Sequence, residues 1–262
     1  MTATERSASF MLSLLVSLAG LFLLLPTLIV IPMSFSAAEA FIFPPPGFSL
    51  RWFQNFFTSA DWQAASLNSL IVACGACALA TVLGTLGALG LARRQLRGAP
   101  LLQMLFLLPI IVPSIVSAVA IYRLFARFGL TGTRAGLILA HAALGLPFVI
   151  INVSAMLQRM DWRTEQAARS LGAGPVRAFL TVTLPAITPG IIAGAIFAFL
   201  ASWDEIVVAV FLSGVGAITL PVQMWSGIRF EINPTVAAVS VLLLLVSTTT
   251  LAGFALFRRR QA

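Results

Sequence analysis

Charged residues divide this chain into long apolar stretches. None interrupts the intervals from Arg6 to Glu39, Asp61 to Arg93, Arg97 to Arg123, Arg134 to Arg159, Arg177 to Asp204 or Glu231 to Arg258. Each holds the roughly 20 residues that a helix needs to cross about 30 Å of hydrocarbon. The pattern predicts an all-α polytopic membrane protein of about six spans, over residues 10–33, 68–92, from 101 onward, 135–157, 189–212 and 236–257. A seventh uncharged stretch, 206–228, is interrupted by Gly214, Gly216 and Pro221. Counting it as a span would also put Arg258, Arg259 and Arg260 outside, against the positive-inside rule.

The six-span pattern places Arg6, Arg93, Arg94, Arg97, Arg159, Arg163, Arg169, Arg177, Arg258, Arg259 and Arg260 on the cytoplasmic side. Arg51, Arg123, Arg127, Arg134 and Arg229 fall outside. Both termini are then cytoplasmic, residues 1–9 form a short tail, and residues 1–262 make one transmembrane domain. The first span is longer than the apolar core of a signal peptide and lacks a convincing cleavage site, so it reads as a retained helix.

Composition supports this class. The chain is 60% hydrophobic and only 9% charged, where soluble domains carry about a quarter charged residues. The net charge of +8 reflects arginines at span ends, where they set topology and meet anionic lipid. No basic face on a soluble domain points to nucleic acid.

The third span carries Pro109 and Pro113, which predict a bend; it reads either as a pathway-lining helix or as a packing irregularity. The second is rich in Gly84, Gly87, Ala88 and Gly90, which permit close helix approach. Between the first two spans, three prolines from Pro44 to Pro46 precede Trp52, Phe53, Phe56 and Phe57. These aromatics predict a short interfacial helix that anchors in lipid or contacts a partner.

Candidate chemistry is sparse. Cys74 and Cys77 have CxxC spacing, but inside an apolar span with no second pair they read as packing residues. His141 is the lone histidine, so no histidine-based metal cluster is available; it reads as a helix-to-helix hydrogen-bond partner or, less economically, a proton relay. No catalytic set, metal site or cofactor site is predicted. The chain also lacks lysine, so GxxxxGK[ST] is absent and ATP hydrolysis would belong to another chain. Trp203, Asp204 and Glu205 lie beyond the midplane of the fifth span, roughly 22 Å from Pro189 at 1.5 Å per residue. Acidic groups at that depth are costly and usually face a cavity. They read as a pathway for a cationic solute, with Trp203 offering a cation–π face, or as a pair at the external rim neutralised by an arginine such as Arg229.

The most informative stretch is 165–185, EQAARSLGAGPVRAFLTVTLP, polar and arginine-bearing between the fourth and fifth spans. As a helix it sets Glu165, Ala168, Arg169 and Gly172 on one face, small and edged by charge, suited to a groove on a partner. Gly172 permits a sharp turn afterwards. The segment resembles the cytoplasmic coupling loop of ABC-importer permeases: Glu-Ala-Ala, three residues, Gly, nine residues, Ile-x-Leu-Pro. Gln166, Ala167 and Ala168 fill the triplet, Gly172 follows, and Val182, Thr183, Leu184 and Pro185 close it. Gln166 replaces Glu and Val182 replaces Ile. Further similarity, over roughly residues 65–257, is to the spermidine/putrescine-type branch.

The resemblance implies the type I importer permease fold and a multi-pass location in a bacterial inner membrane. It implies a non-enzymatic transport subunit that carries a small, cationic solute such as a polyamine. Expected partners are two cytoplasmic ATPase subunits, a second, non-identical permease, a periplasmic binding protein and membrane lipid. Glu165, Gln166, Ala167, Ala168, Arg169, Gly172, Leu184 and Pro185 would couple to the ATPase, with Glu165 available to substitute for the missing glutamate. Other small solutes (amine, phosphonate, metal or oxyanion) remain open within the class. A stand-alone secondary transporter or an intramembrane hydrolase would need relay or nucleophile–base groups that the spans scarcely supply.

Overall fold

The computed structural model describes residues 3–92, 98–231 and 234–259. Of the arginines assigned above to the cytoplasmic side, Arg93, Arg94, Arg97 and Arg260 lie outside them. The described residues are overwhelmingly helical. The long helices are α1 (Ala3–Ser34), α3 (Ala60–Ala92), α6 (Arg134–Arg159), α9 (Leu184–Trp203) and α12 (Thr235–Arg259). Shorter ones are α2 (Arg51–Thr58), α4 (Ala99–Ile111), α5 (Ser114–Arg127), α7 (Trp162–Ser170), α8 (Pro175–Ala178), α10 (Val207–Leu212) and α11 (Leu220–Ser226).

Five helices are long and apolar enough to cross a membrane; α4 and α5 make a sixth span if their bent pair is counted as one. The bend is 107° and falls at Val112 and Pro113, where α4 ends in extended backbone. Pro113 cannot donate a hydrogen bond and disfavours helical backbone in the residue before it. The 206–228 stretch is not a span: α10 and α11 have six and seven residues, separated by the glycine loop.

The fifth span differs from its predicted extent of 189–212. The helix starts earlier, at Leu184, and stops at Trp203, with Asp204 as its C-cap. Glu205 then accepts a 2.8 Å hydrogen bond from the Val208 N–H through Oε1. A carboxylate that satisfies a free N–H starts a new helix rather than extending the old one.

The chain's contacts group into two compact units, Met1–Gln63 with Met224–Val246, and Ala64–Gln223 with Ser247–Ala262. In the first, the proline loop folds back on itself: Ser36 bridges Phe48 and the Trp52 indole donates to the Ser36 carbonyl at 2.9 Å. Asn55 on α2 donates to Thr235 Oγ1 at 2.9 Å, tying α2 to the start of α12. Leucine and phenylalanine side chains stand exposed along α1, as lipid-facing surface does.

In the second unit, α6 and α9 pack closely, and α3 joins them through Ala76, Ala80 and Ala88 around Val149, Val153, Leu157 and Ile187. A second cluster gathers Val72, Ala118, Leu137, Val208 and Leu212 from α3, α5, α6 and α10. Small residues admit this packing where no hydrophobic effect drives helices together in lipid. Cys77 belongs to it, donating Sγ to the Ala195 carbonyl at 3.2 Å.

Candidate functional site

The 165–185 stretch holds the short helix and glycine break that its pattern predicts, with α7 starting ahead of it, at Trp162. Asp161 accepts from the Arg163 N–H at 2.9 Å, capping the N-terminus of α7. Glu165 in the first turn and Arg169 in the last complement the helix dipole. At the far end the Ala173 N–H reaches the Ala168 carbonyl at 3.1 Å and the Gly172 N–H reaches Arg169 at 3.0 Å. This double closure is a Schellman motif, with Gly172 at φ +91° in the left-handed position it requires.

The residues that helical spacing sets on one face of α7 are not equally covered. Glu165 and Ala168 are partly buried with Trp162, whereas Gln166, Ala167, Arg169 and Gly172 are exposed. Leu171 is exposed as well, at 90%. The reason is Trp162, which packs onto the α3–α6–α9 core and rolls its stripe of α7 inward. The outward face is therefore a short polar surface ending in an apolar tip. Beside it, a cleft of about 1150 Å³ is lined by Gln103, Ser154, Gln158, Trp162, Glu165 and Arg169, among others.

Thr183, which sequence reasoning missed as a site residue, is buried and donates its hydroxyl to Glu165 Oε2. It closes a π turn, Phe179–Thr183, ahead of α9. Leu184 begins α9 and packs against its core, and Pro185 is exposed in the first turn. Proline there removes a donor and crowds the carbonyl four residues back, which accounts for a widened turn. A threonine just before Leu-Pro was the available signal.

The structure separates the three residues at the end of α9. Trp203 is buried, 7% exposed, and stacks on Phe199 at 5.7 Å between centroids; it does not present an open cation–π face. Glu205 is engaged with Val208. Asp204 is exposed, and its carboxylate has no partner among the described residues. Arg229, the suggested neutraliser, lies 5.7 Å over the Trp225 ring. His141 is a helix-to-helix partner, its Nδ1 sharing a 2.8 Å hydrogen bond with Ser202 Oγ.

Sequence reasoning also missed a polar clasp at the Arg134 end of α6, opposite α7. Arg134 donates to Asn68 Oδ1 at 2.7 Å, and Asn68 donates to the Ile218 carbonyl at 2.8 Å. Ser69 Oγ accepts from the Leu220 N–H at 2.7 Å. Together they strap the 213–219 loop to α3.

Over residues 80–262 the chain matches the family described as binding-protein-dependent transport system inner membrane component. It belongs to that family. This permease is 34% identical over 231 residues to the putrescine transport system permease protein PotI of Escherichia coli (strain K12), covering 85% of this chain and 82% of PotI. It is 30% identical over 226 residues to the spermidine/putrescine transport system permease protein PotC of Haemophilus influenzae, covering 86% and 88%. The diacetylchitobiose uptake system permease protein NgcG of Streptomyces coelicolor is 32% identical over 216 residues, covering 81% and 71%. Among solved structures, a bacterial ABC transporter that imports alginate matches with a TM-score of 0.78 at 16% identity, covering 96% of each chain. The fold is that of the ABC importer permeases, and the chain is such a permease, multi-pass in the inner membrane.

Proposed function

We propose that this permease carries a small amine-bearing cation, of the putrescine or spermidine kind, delivered by a periplasmic binding protein. The observation that carries the solute reading is Asp204: an exposed, unpartnered carboxylate where an otherwise apolar helix breaks. A carboxylate left free at such depth is retained for use, since its desolvation is costly. The similarity to PotI and PotC supports a polyamine. NgcG, similar to about the same degree, marks a different small solute as the competing reading.

The α7 surface of Gln166, Ala167, Arg169 and Leu171 docks an ATPase on a separate chain, and the Gly172 turn sets its angle. Two ATPase subunits and a second, non-identical permease complete the complex. Both termini are cytoplasmic, and the whole chain acts as one transmembrane domain. With Gln166 in place of glutamate, contact at that position is a neutral hydrogen bond rather than an ion pair.

The test is ATP hydrolysis by the purified complex in lipid, with binding protein loaded with putrescine, spermidine or diacetylchitobiose. Stimulation by the polyamines, and loss of uptake in Asp204→Asn, is the expected result. Stimulation by the sugar alone would overturn the cationic solute and keep the importer.

A further inference from the structure

Three threonines lie near the entry to α9, and they behave differently. Thr181 and Thr188 donate to the carbonyls four residues back, Arg177 and Leu184, each at 2.7 Å. That is the ordinary local bond of a helical threonine. Thr183 does not make it. The carbonyl four residues back, on Phe179, accepts the Leu184 N–H across the π turn and no bond from the Thr183 hydroxyl. The Thr183 hydroxyl reaches out of its own helix to Glu165 on α7 instead.

We propose that Glu165 is a positioning residue: bonded to Thr183, it transmits the movement of α7 to α9. This rests on reading α7 as the ATPase-docking element. Glu165 is then not the stand-in for the glutamate missing at Gln166, because its carboxylate is turned inward and engaged. The Trp162 ring in the core and the Glu165–Thr183 bond both hold α7. The second is a charge-assisted, directional hydrogen bond with a buried donor. From Leu184, α9 runs 20 residues to Trp203, about 30 Å at 1.5 Å per residue. A push on α7 at one end is thereby delivered at the break that bears Asp204. π turns are frequent at functional positions, and Thr183 is the last residue of this one.

The experiment measures solute delivered per ATP hydrolysed by the complete complex in liposomes, using the solute that stimulates the wild type. Glu165→Ala and Thr183→Val should each retain the bound ATPase and its hydrolysis, yet lower the transport-to-hydrolysis ratio at least about fivefold, as loss of a charged hydrogen bond warrants. The double variant should be no worse than either single one. Thr183→Ser and Glu165→Gln, which keep donor and acceptor, should hold the ratio within about twofold. If Glu165→Ala strips the ATPase while Thr183→Val is normal, Glu165 is an ATPase contact and the proposal fails. Multiplying defects in the double variant would also overturn it. A wild-type complex that binds no ATPase would instead sink the docking reading itself.

Discussion

A Cβ on Gly194 of α9 would stand 2.7 Å from the Cα of Val149 on α6. Backbone cannot withdraw as a side chain can, so this crossing accepts only glycine. Gly190, one turn earlier, meets the Asn152 carbonyl oxygen at the same distance. Gly194→Ala is expected to destabilise the permease by about 1–3 kcal/mol, the usual cost of overpacking, measured as a lower thermal transition in detergent. Gly253→Ala, with open space around it, is the control that should not shift it.

His141 and Ser202 make the polar counterpart of that crossing. The ring is 1% exposed and its Nε2 has no partner among the described residues. Ser202→Ala orphans Nδ1 as well, and should cost about 1–3 kcal/mol. Solute delivered per ATP should stay at the wild-type value if the pair is a structural tie. A changed ratio would restore the relay reading.

Gly172 is constrained by backbone and not by space, since nothing lies within 4 Å of its would-be Cβ and φ is +91°. Asn tolerates the left-handed region and β-branched residues do not. Gly172→Asn should therefore retain most ATPase binding, and Gly172→Val should lose about tenfold, roughly 1.4 kcal/mol, in a pull-down titration. Equal losses would mean that the side chain itself blocks the partner.

At the break after α9, the two acids should separate in uptake assays. Asp204→Asn removes the unengaged charge and should lower uptake of a diamine about tenfold. Glu205→Gln keeps an acceptor for the Val208 N–H and should stay within about twofold. The reverse ranking would make Glu205 the solute contact.

Much of the architecture was legible because lipid is a demanding solvent. A span must be apolar for about 20 residues and must satisfy its backbone internally, so charge-free intervals and prolines alone located the helices and the α4–α5 bend. The turn at Gly172 and the re-entry at Pro185 were equally legible, since both residues act on their own neighbouring backbone, whereas the Asp161 cap was not anticipated. Where a helix stops inside an apolar interval was less so. Residues 189–212 look continuous by hydropathy, yet Asp204 and Glu205 end one helix and start another.

Residue order alone carries the class of protein, the number of candidate spans and the glycine break after α7, because solvent transfer and a left-handed turn are local properties of the chain. Tertiary structure alone decided which way the helices face. Trp162 rolled Glu165 and Ala168 inward, Phe199 covered Trp203, and α6 brought His141 to Ser202 across 61 residues. Such pairings depend on the rotation and crossing of packed helices, which the period of a single helix does not contain.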